Sequence, residues 1–444
     1  MSGKVSIIDF PNKFRLVHQL PAHKLPISHI HLFVHVGSAN EDAKTRGASH
    51  FIEHMCFKGT KKHPNTKDIT RNFDNHGAYF NAHTVKQYTC YVIKCADDNM
   101  PVLIRLLADA MFHSVFDKRE YKKELAVVIE ENIRDEVDYE RMTLNLLESA
   151  VFEGSVFEHP IDTMRYHKTP DTLKYDDVLE FYHKFYLPSN MLLSITTNIP
   201  IGNITRFMRQ TEFARPSACL HPVAGSYAVL RPTHEPCISV TRVPRMESVN
   251  LAFGFRVCSF MHEDAIALHV LENILGGRMS SRVFTLLRED NGLTYSSDVN
   301  TLHYEPGGVF YVFAISDSNK LIRASSNKKG VIPLLVEMFC DLYKNGVNRA
   351  EWTDCRRYLE KTVQMEIEDV DSLSYMNGKR VLLRNLKTIT PYQDMYHAYY
   401  EKVTMADIHR VIRTYFTKDR AYLAMVGGGL PAESELKRWL DRLP

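Results

Sequence analysis

The pentapeptide His50-Phe51-Ile52-Glu53-His54 returns 219 positions later (269 minus 50) as His269-Val270-Leu271-Glu272-Asn273. A repeat of that period is a duplicated domain, because solenoid units run roughly 20–50 residues. The duplication is the strongest constraint on the fold. Whatever architecture the first half adopts, the second must adopt as well, and it must survive loss of the final histidine. The length of 444 residues agrees, since about 100–200 residues per domain allows two to four units. Prolines 216, 222, 232 and 236 fall in a stretch with few helix signals, which reads as a linker. The expected division is 1–215, a linker at 216–236, and 237–444.

Hydrophobic periodicity fills in the halves. Residues 14–20 and 29–36 read as strands, with His29, His31, Phe33 and His35 alternating against Ile30, Leu32, Val34 and Val36. A helix is expected at 47–57, a strand at 88–94, helices at 100–113, at 118–137 and beyond, and at 172–185, and a strand at 191–197. The second half repeats the scheme: a strand at 249–256, a helix at 263–275, a strand at 308–315, helices at 330–344, 349–368 and 405–415, and a strand at 421–426. The fold class is α+β, two homologous domains, each a mainly antiparallel sheet packed with helices.

A net charge of +2 offers no lopsided field for nucleic acid or an acidic membrane surface. The eight cysteines contain no CxxC pair, which argues against a cysteine zinc ribbon and for buried free thiols in a reducing compartment. No run approaches the ~18 apolar residues of a membrane span. The N-terminal segment shows no secretory or organellar presequence pattern. The expected location is cytoplasmic, or an organellar matrix if a presequence has been removed.

On a helix, His50 and His54 lie one turn apart on one face and can aim both imidazoles at one point. Glu53 reaches the rim of the same place. Two neutral imidazoles, a carboxylate and a fourth position for water make a catalytic zinc arrangement. An amphipathic helix with two partly buried histidines paired to Glu53 would show the same local pattern, so a second source of carboxylate matters. The helix at 118–137 carries Glu124, Glu130, Glu131 and Glu136. Glu124 and Glu131 are seven apart and share a face, so they could supply a third ligand and a carboxylate behind a histidine.

With these residues in place, the chain resembles the pitrilysin–insulinase family of zinc peptidases, which carry the inverted HxxEH motif. It resembles in particular the compact branch that includes the mitochondrial processing peptidase β-subunit and bacterial relatives. The resemblance runs through VGSANEDAKTRGASHFIEHMCFKGT, NAHTVKQYTCYVIKC, KKELAVVIEEN and LENILGGRMSSRVFTLLREDNGLTYS. It implies His50 and His54 as zinc ligands and Glu53 as the general base. The family's third ligand follows the last histidine by about 76 or 77 positions, leaving Glu130 or Glu131. The paired carboxylate seven residues earlier selects Glu131 as ligand, with Glu124 behind it and Glu130 exposed. Asn81 and Ala82 resemble the family's substrate-binding edge strand. Arg288 and Tyr295 match a pair that the second domain contributes to hold substrate and stabilise an oxyanion. Two segments depart from the family: EHPIDTMRYHKTP lacks its usual glycines, and Gly276-Gly277-Arg278 is short in glycine.

The implied activity is zinc-dependent endoproteolysis of unfolded peptides or presequence-like segments. The alternative is a non-catalytic structural or regulatory subunit of a processing-peptidase-like or respiratory complex. Two domains make half of the family's clamshell, so the resemblance also implies a homodimer or a heterodimer with a related subunit, with no nucleic acid and no membrane span.

Overall fold

The computed structural model describes residues 3–22, 24–135, 137–161, 173–215, 227, 230 and 234–444. The expected linker at 216–236 therefore lies outside the described residues except for 227, 230 and 234–236, as do Glu136 and most of the EHPIDTMRYHKTP segment. In chain order the first elements are β1 (Val5–Asp9), β2 (Arg15–Gln19), β3 (Ile27–Val34), α1 (Ala48–Met55), α2 (Thr66–Asn75), β4 (Tyr79–Thr84) and β5 (Thr89–Ala96). They are followed by α3 (Met100–His113), α4 (Lys118–Asp135), α5 (Tyr139–Val151), α6 (Tyr175–Phe185), β6 (Met191–Thr196) and α7 (Ile201–Met208). The second half runs β7 (Cys237–Arg242), β8 (Ser248–Val257), α8 (Asp264–Leu275), α9 (Arg282–Phe284), β9 (Thr294–His303), β10 (Gly308–Asp317), β11 (Arg323–Ser325) and β12 (Lys328–Lys329). It ends with α10 (Val331–Asn345), α11 (Arg349–Glu366), α12 (Val370–Arg384), α13 (Met395–Ala398), α14 (Met405–Tyr415), β13 (Ala421–Gly427) and α15 (Glu433–Leu440).

Two compact units emerge, each a mixed sheet packed by helices, and each takes in a segment from the other half of the sequence. The first comprises Met1–Arg134, Ile161–Ser226 and Val363–Met395; the second comprises Asp135–Pro160, Tyr227–Thr362 and Tyr396–Pro444. The sheet of the first unit has the order β1-β2-β6-β3-β5-β4 and that of the second β7-β13-β8-β10-β9. In each, one pair is parallel (β2 with β6, β13 with β7) and the others are antiparallel. Element by element, the orders β3-α1-β4-β5 and β8-α8-β9-β10 are the duplication expected from the repeated pentapeptide.

In the first unit, one face of the sheet presents Ile30, Leu32, Val34, Tyr91, Ile93, Leu193 and Ile195 to a core completed by Phe51, Ile52 and Met55 of α1 and Leu103, Ile104 and Leu107 of α3. The opposite face is covered as well. Val17, Phe33, Cys90, Val92 and Leu192 pack there with Val381 and Tyr375 of α12. The alternation along β3 therefore sorts residues between two buried faces rather than between core and water: His31 is 2% exposed and His29 8%. Helix α12 lies close because of small and polar residues. Ser374 Oγ donates to the His29 carbonyl at 3.2 Å, and Ser194 Oγ donates to the Ser374 carbonyl at 2.7 Å. At Gly378 a Cβ would stand 2.2 Å from the Phe33 ring, so no larger residue fits without displacement. Among the described residues no helix is long and apolar enough to cross a membrane.

Candidate active site

The site is built on three elements of the first unit: α1, α4 and the β4–β5 hairpin. Helix α1 is short, with Phe51, Ile52 and Met55 anchored in the core, and that anchoring turns His50, Glu53 and His54 towards α4 and β4. The imidazoles of His50 and His54 meet edge to face, ring centroids 4.8 Å apart at 86°. Their Nε2 atoms are 3.1 Å apart, and His54 Nε2 is 3.7 Å from Glu131 Oε2. Ligand atoms of His50, His54 and Glu131 all lie within 4.8 Å of one another. Bonds of about 2.0–2.1 Å to a tetrahedral zinc separate its donors by roughly 3.3 Å. The nitrogen and oxygen donor set and its spacing thus fit such an ion, with the gap to Glu131 slightly wide.

Glu124, 3% exposed on α4, accepts a hydrogen bond from His54 Nδ1 at 2.8 Å, and its other oxygen lies 2.7 Å from Lys58 Nζ. A proton held at Nδ1 leaves the Nε2 lone pair free for a metal. Burial alone would raise the Glu124 carboxyl, but the His54 and Lys58 hydrogen bonds outweigh it and hold the group below its usual range. Burial pulls His54 down, and the bond to Glu124 together with the charges of Glu53 and Glu131 overcomes that pull and lifts it. Glu130 is exposed on the far side of α4, whereas Glu131 is part-buried.

Glu53 is 8% exposed, and its Oε2 accepts a hydrogen bond from Thr84 Oγ1 at 2.5 Å. Asn81 and Ala82 lie on β4, the outer strand of the sheet. Asn81 Nδ2 donates to Tyr79 Oη at 3.0 Å, and its Oδ1 takes the Ala82 N–H at 2.8 Å. In the second unit Arg288 and Tyr295 stand together. Arg288 Nη1 donates to the Tyr295 carbonyl at 2.8 Å, and Tyr295 is 64% exposed with its hydroxyl donating to Asp317 at 2.9 Å. Neither behaves as a residue chosen for core packing.

Thr84 beneath Glu53 and Lys58 beside Glu124 escaped the sequence reading. Lys58 carried a usable signal, since it follows His54 by four residues and so continues its face. Thr84 carried none, because its contact depends on strand pairing across the hairpin.

Residues 19–163 match the family described as insulinase (peptidase family M16), and residues 172–359 match the M16 inactive domain. An uncharacterized zinc protease of Bacillus subtilis, YmxG, is 30% identical over 91% of this chain and 94% of its own length. The mitochondrial-processing peptidase subunit beta of Caenorhabditis elegans is 23% identical over 95% of this chain and 89% of its own. A Helicobacter pylori protease structure superimposes with a TM-score of 0.84 at 19% identity, covering 96% of this chain and all of that one. The shared fold, the duplicated halves and the near-full-length match to the Bacillus protein together show that the chain belongs to the insulinase (M16) family of peptidases.

Proposed function

We propose that the chain is a zinc-dependent endopeptidase, with His50, His54 and Glu131 holding the metal and Glu53 serving as base. The observation that carries this reading is the convergence of three ligand atoms from α1 and α4, with Glu124 holding the Nδ1 proton of one histidine. Zinc in such a site supplies Lewis acidity, polarising a carbonyl oxygen and making water a nucleophile near neutral pH. The rest falls to the protein. Glu53 takes the proton of the attacking water and returns it to the leaving amine, while Thr84 keeps its carboxylate oriented. Glu124 steadies His54 as charge changes around it. The edge at Asn81 and Ala82 receives the substrate as an added strand. Arg288 and Tyr295 hold the peptide and stabilise the oxyanion.

On this reading the substrate is an extended, unfolded peptide or a presequence-like segment, and the working form is a homodimer or a heterodimer with a related subunit. The duplicated halves are 1–215 and 237–444, joined by 216–236, and only the first holds metal. Zinc content and cleavage of a quenched unstructured peptide, measured for the wild type and for Glu53→Gln, test the proposal. Both proteins should hold about one zinc per chain and only the wild type should cut. A folded wild type that neither binds zinc nor cuts sinks the peptidase reading in favour of a non-catalytic subunit.

A further inference from the structure

Helix α1 begins without a cap of its own. Its N-cap is Gly47, in the left-handed region at φ +83°, and a glycine has no side chain to accept the first orphan N–H groups. Those groups go to a carboxylate further back in the sequence. Glu41 Oε2 accepts the Gly47 N–H at 2.7 Å, and Glu41 Oε1 accepts the Ser49 N–H at 2.8 Å. Between them the Ala48 N–H goes to the Thr45 carbonyl at 2.9 Å. Burial pushes the Glu41 carboxyl up to about 7, against the pull of its hydrogen bonds from Gly47 and Ser49.

The other end of the clamp is equally fixed. The Glu41 N–H donates to Ser38, and Ser38 and Ala39 donate to the Val85 and Lys86 carbonyls at 3.3 and 2.8 Å. Gly37 sits so tightly there that a Cβ would stand 2.0 Å from the Val85 carbonyl oxygen. The turn before α1 is thus clasped to the β4–β5 hairpin. That hairpin also supplies Thr84, the donor to Glu53. Helix α1 is tied to one hairpin twice, once through Glu53 in its middle and once through Glu41 at its start. Core packing of Phe51, Ile52 and Met55 sets which face of the helix turns inward, and the two ties fix its height along the strand.

We infer that Glu41 is a positioning residue for the metal site: its bidentate grip on the first turn of α1 sets where His50 and Glu53 stand relative to α4 and the β4 edge. The inference rests on the zinc-peptidase reading. It touches neither ligand nor substrate directly, and it acts through the backbone one residue before His50.

The test compares Glu41→Ala and Glu41→Gln with Asn65→Ala, which removes a helix cap of the same unit away from the site, where Asn65 Oδ1 accepts the Asp68 N–H at 3.1 Å. Zinc affinity by chelator competition, kcat and KM at saturating zinc, and thermal midpoint are measured for each. Glu41→Ala should weaken zinc binding by about tenfold or more, as supporting groups around metal ligands do. It should lower kcat by a similar factor with KM within about threefold. Glu41→Gln, which keeps one acceptor oxygen, should fall between it and the wild type, and Asn65→Ala should change only the midpoint. Zinc affinity and kcat within about twofold of wild type in Glu41→Ala overturn the inference, as does an equal loss in Asn65→Ala. If Glu41→Ala does not fold, the same limits applied to Glu41→Gln decide. A wild type without zinc sinks the peptidase reading and this inference together; a normal wild type beside unaffected variants sinks this inference alone.

Discussion

His31 should make the grip of α12 on the first sheet sensitive to acid. It lies on the α12-facing side of β3, 2% exposed, its ring 5.7 Å from Tyr375 and its Nε2 3.8 Å from Asp371 Oδ1. Burial pushes it from 6.5 down to about 4; Asp371 opposes that shift, while His29 and His83 add to it. Between those values the unfolded chain carries a proton that the folded chain refuses, so stability rises with pH across that window. The contribution is complete above about pH 6.5 and is lost as pH falls towards 4. A gap of about 2.5 pH units corresponds to roughly 3 kcal/mol in full, of which about 2 kcal/mol is gone by pH 5. Urea unfolding of the wild type and His31→Gln at pH 7.5 and pH 5 measures it. His18 and His35, also pushed down first of all by burial, titrate in both proteins and cancel in the difference. The wild type should lose about 2 kcal/mol more than the variant, and hydrogen-exchange protection along α12, taken against the intrinsic rate at each pH, should fall further at pH 5 in the wild type. Equal losses in the two proteins, within about 0.5 kcal/mol, would refute the assignment of His31 as a neutral buried group beneath α12.

Other outcomes follow from the same geometry. Glu124→Gln, which replaces the acceptor of His54 Nδ1, should weaken zinc binding by about 10–100-fold in chelator competition. Glu131→Gln should remove stoichiometric zinc, whereas Glu130→Gln, exposed on the same helix, should leave it intact by metal analysis. Gly378→Ala gains about 1 kcal/mol of helix propensity, but its Cβ would stand 2.2 Å from the buried Phe33 ring. Overpacking of about 1–3 kcal/mol should win, lowering the thermal midpoint.

The duplication, most of the strands and the histidine pair were legible in the sequence because each rests on local periodicity or spacing. Several helices were not, α2, α7 and α15 among them, and nor were α5 and α12, the two that change units. Helix α5 falls where the sequence offers only a continuation of the helix at 118–137, and α12 falls in a stretch with no helix expectation. The reason is physical in the case of α12: the residues that let it approach the sheet, Ser374, Asn377 and Gly378, are buried yet read as loop formers. The His29–His31–Phe33 alternation misled in the same way. It looks like a strand with one wet face, and only the arrival of a helix from 345 positions further along (374 against 29), bonding to the His29 carbonyl, shows that both faces are dry. Glu131 over Glu130 needed the family resemblance, since helix geometry alone offers a carboxylate at either position.

The second unit keeps the repeat without the set of candidate ligands. His269 and Glu272 persist on α8, 3.9 Å apart as a loose i,i+3 pair, but Asn273 stands where His54 would, its amide donating to the His269 carbonyl at 2.9 Å. Glu124 and Glu131 lie six and thirteen positions into α4 (from 118), and the same steps into α11 (from 349) reach Cys355 and Thr362. A glutamate as buried as Glu124 is tolerable because His54 and Lys58 both bind it; without such partners an unpaired buried carboxylate costs several kcal/mol. Cys355, fully buried and donating its thiol to the Val270 carbonyl at 3.6 Å, fills that place without a charge. Where the histidine is absent, both positions that correspond to the carboxylates are neutral, and the buried one satisfies itself on α8. In the first unit the 3%-exposed Glu124 carboxylate stays charged because His54 and Lys58 both bind it, and the bond it accepts from His54 Nδ1 leaves Nε2 turned towards Glu131, as the proposed metal site needs.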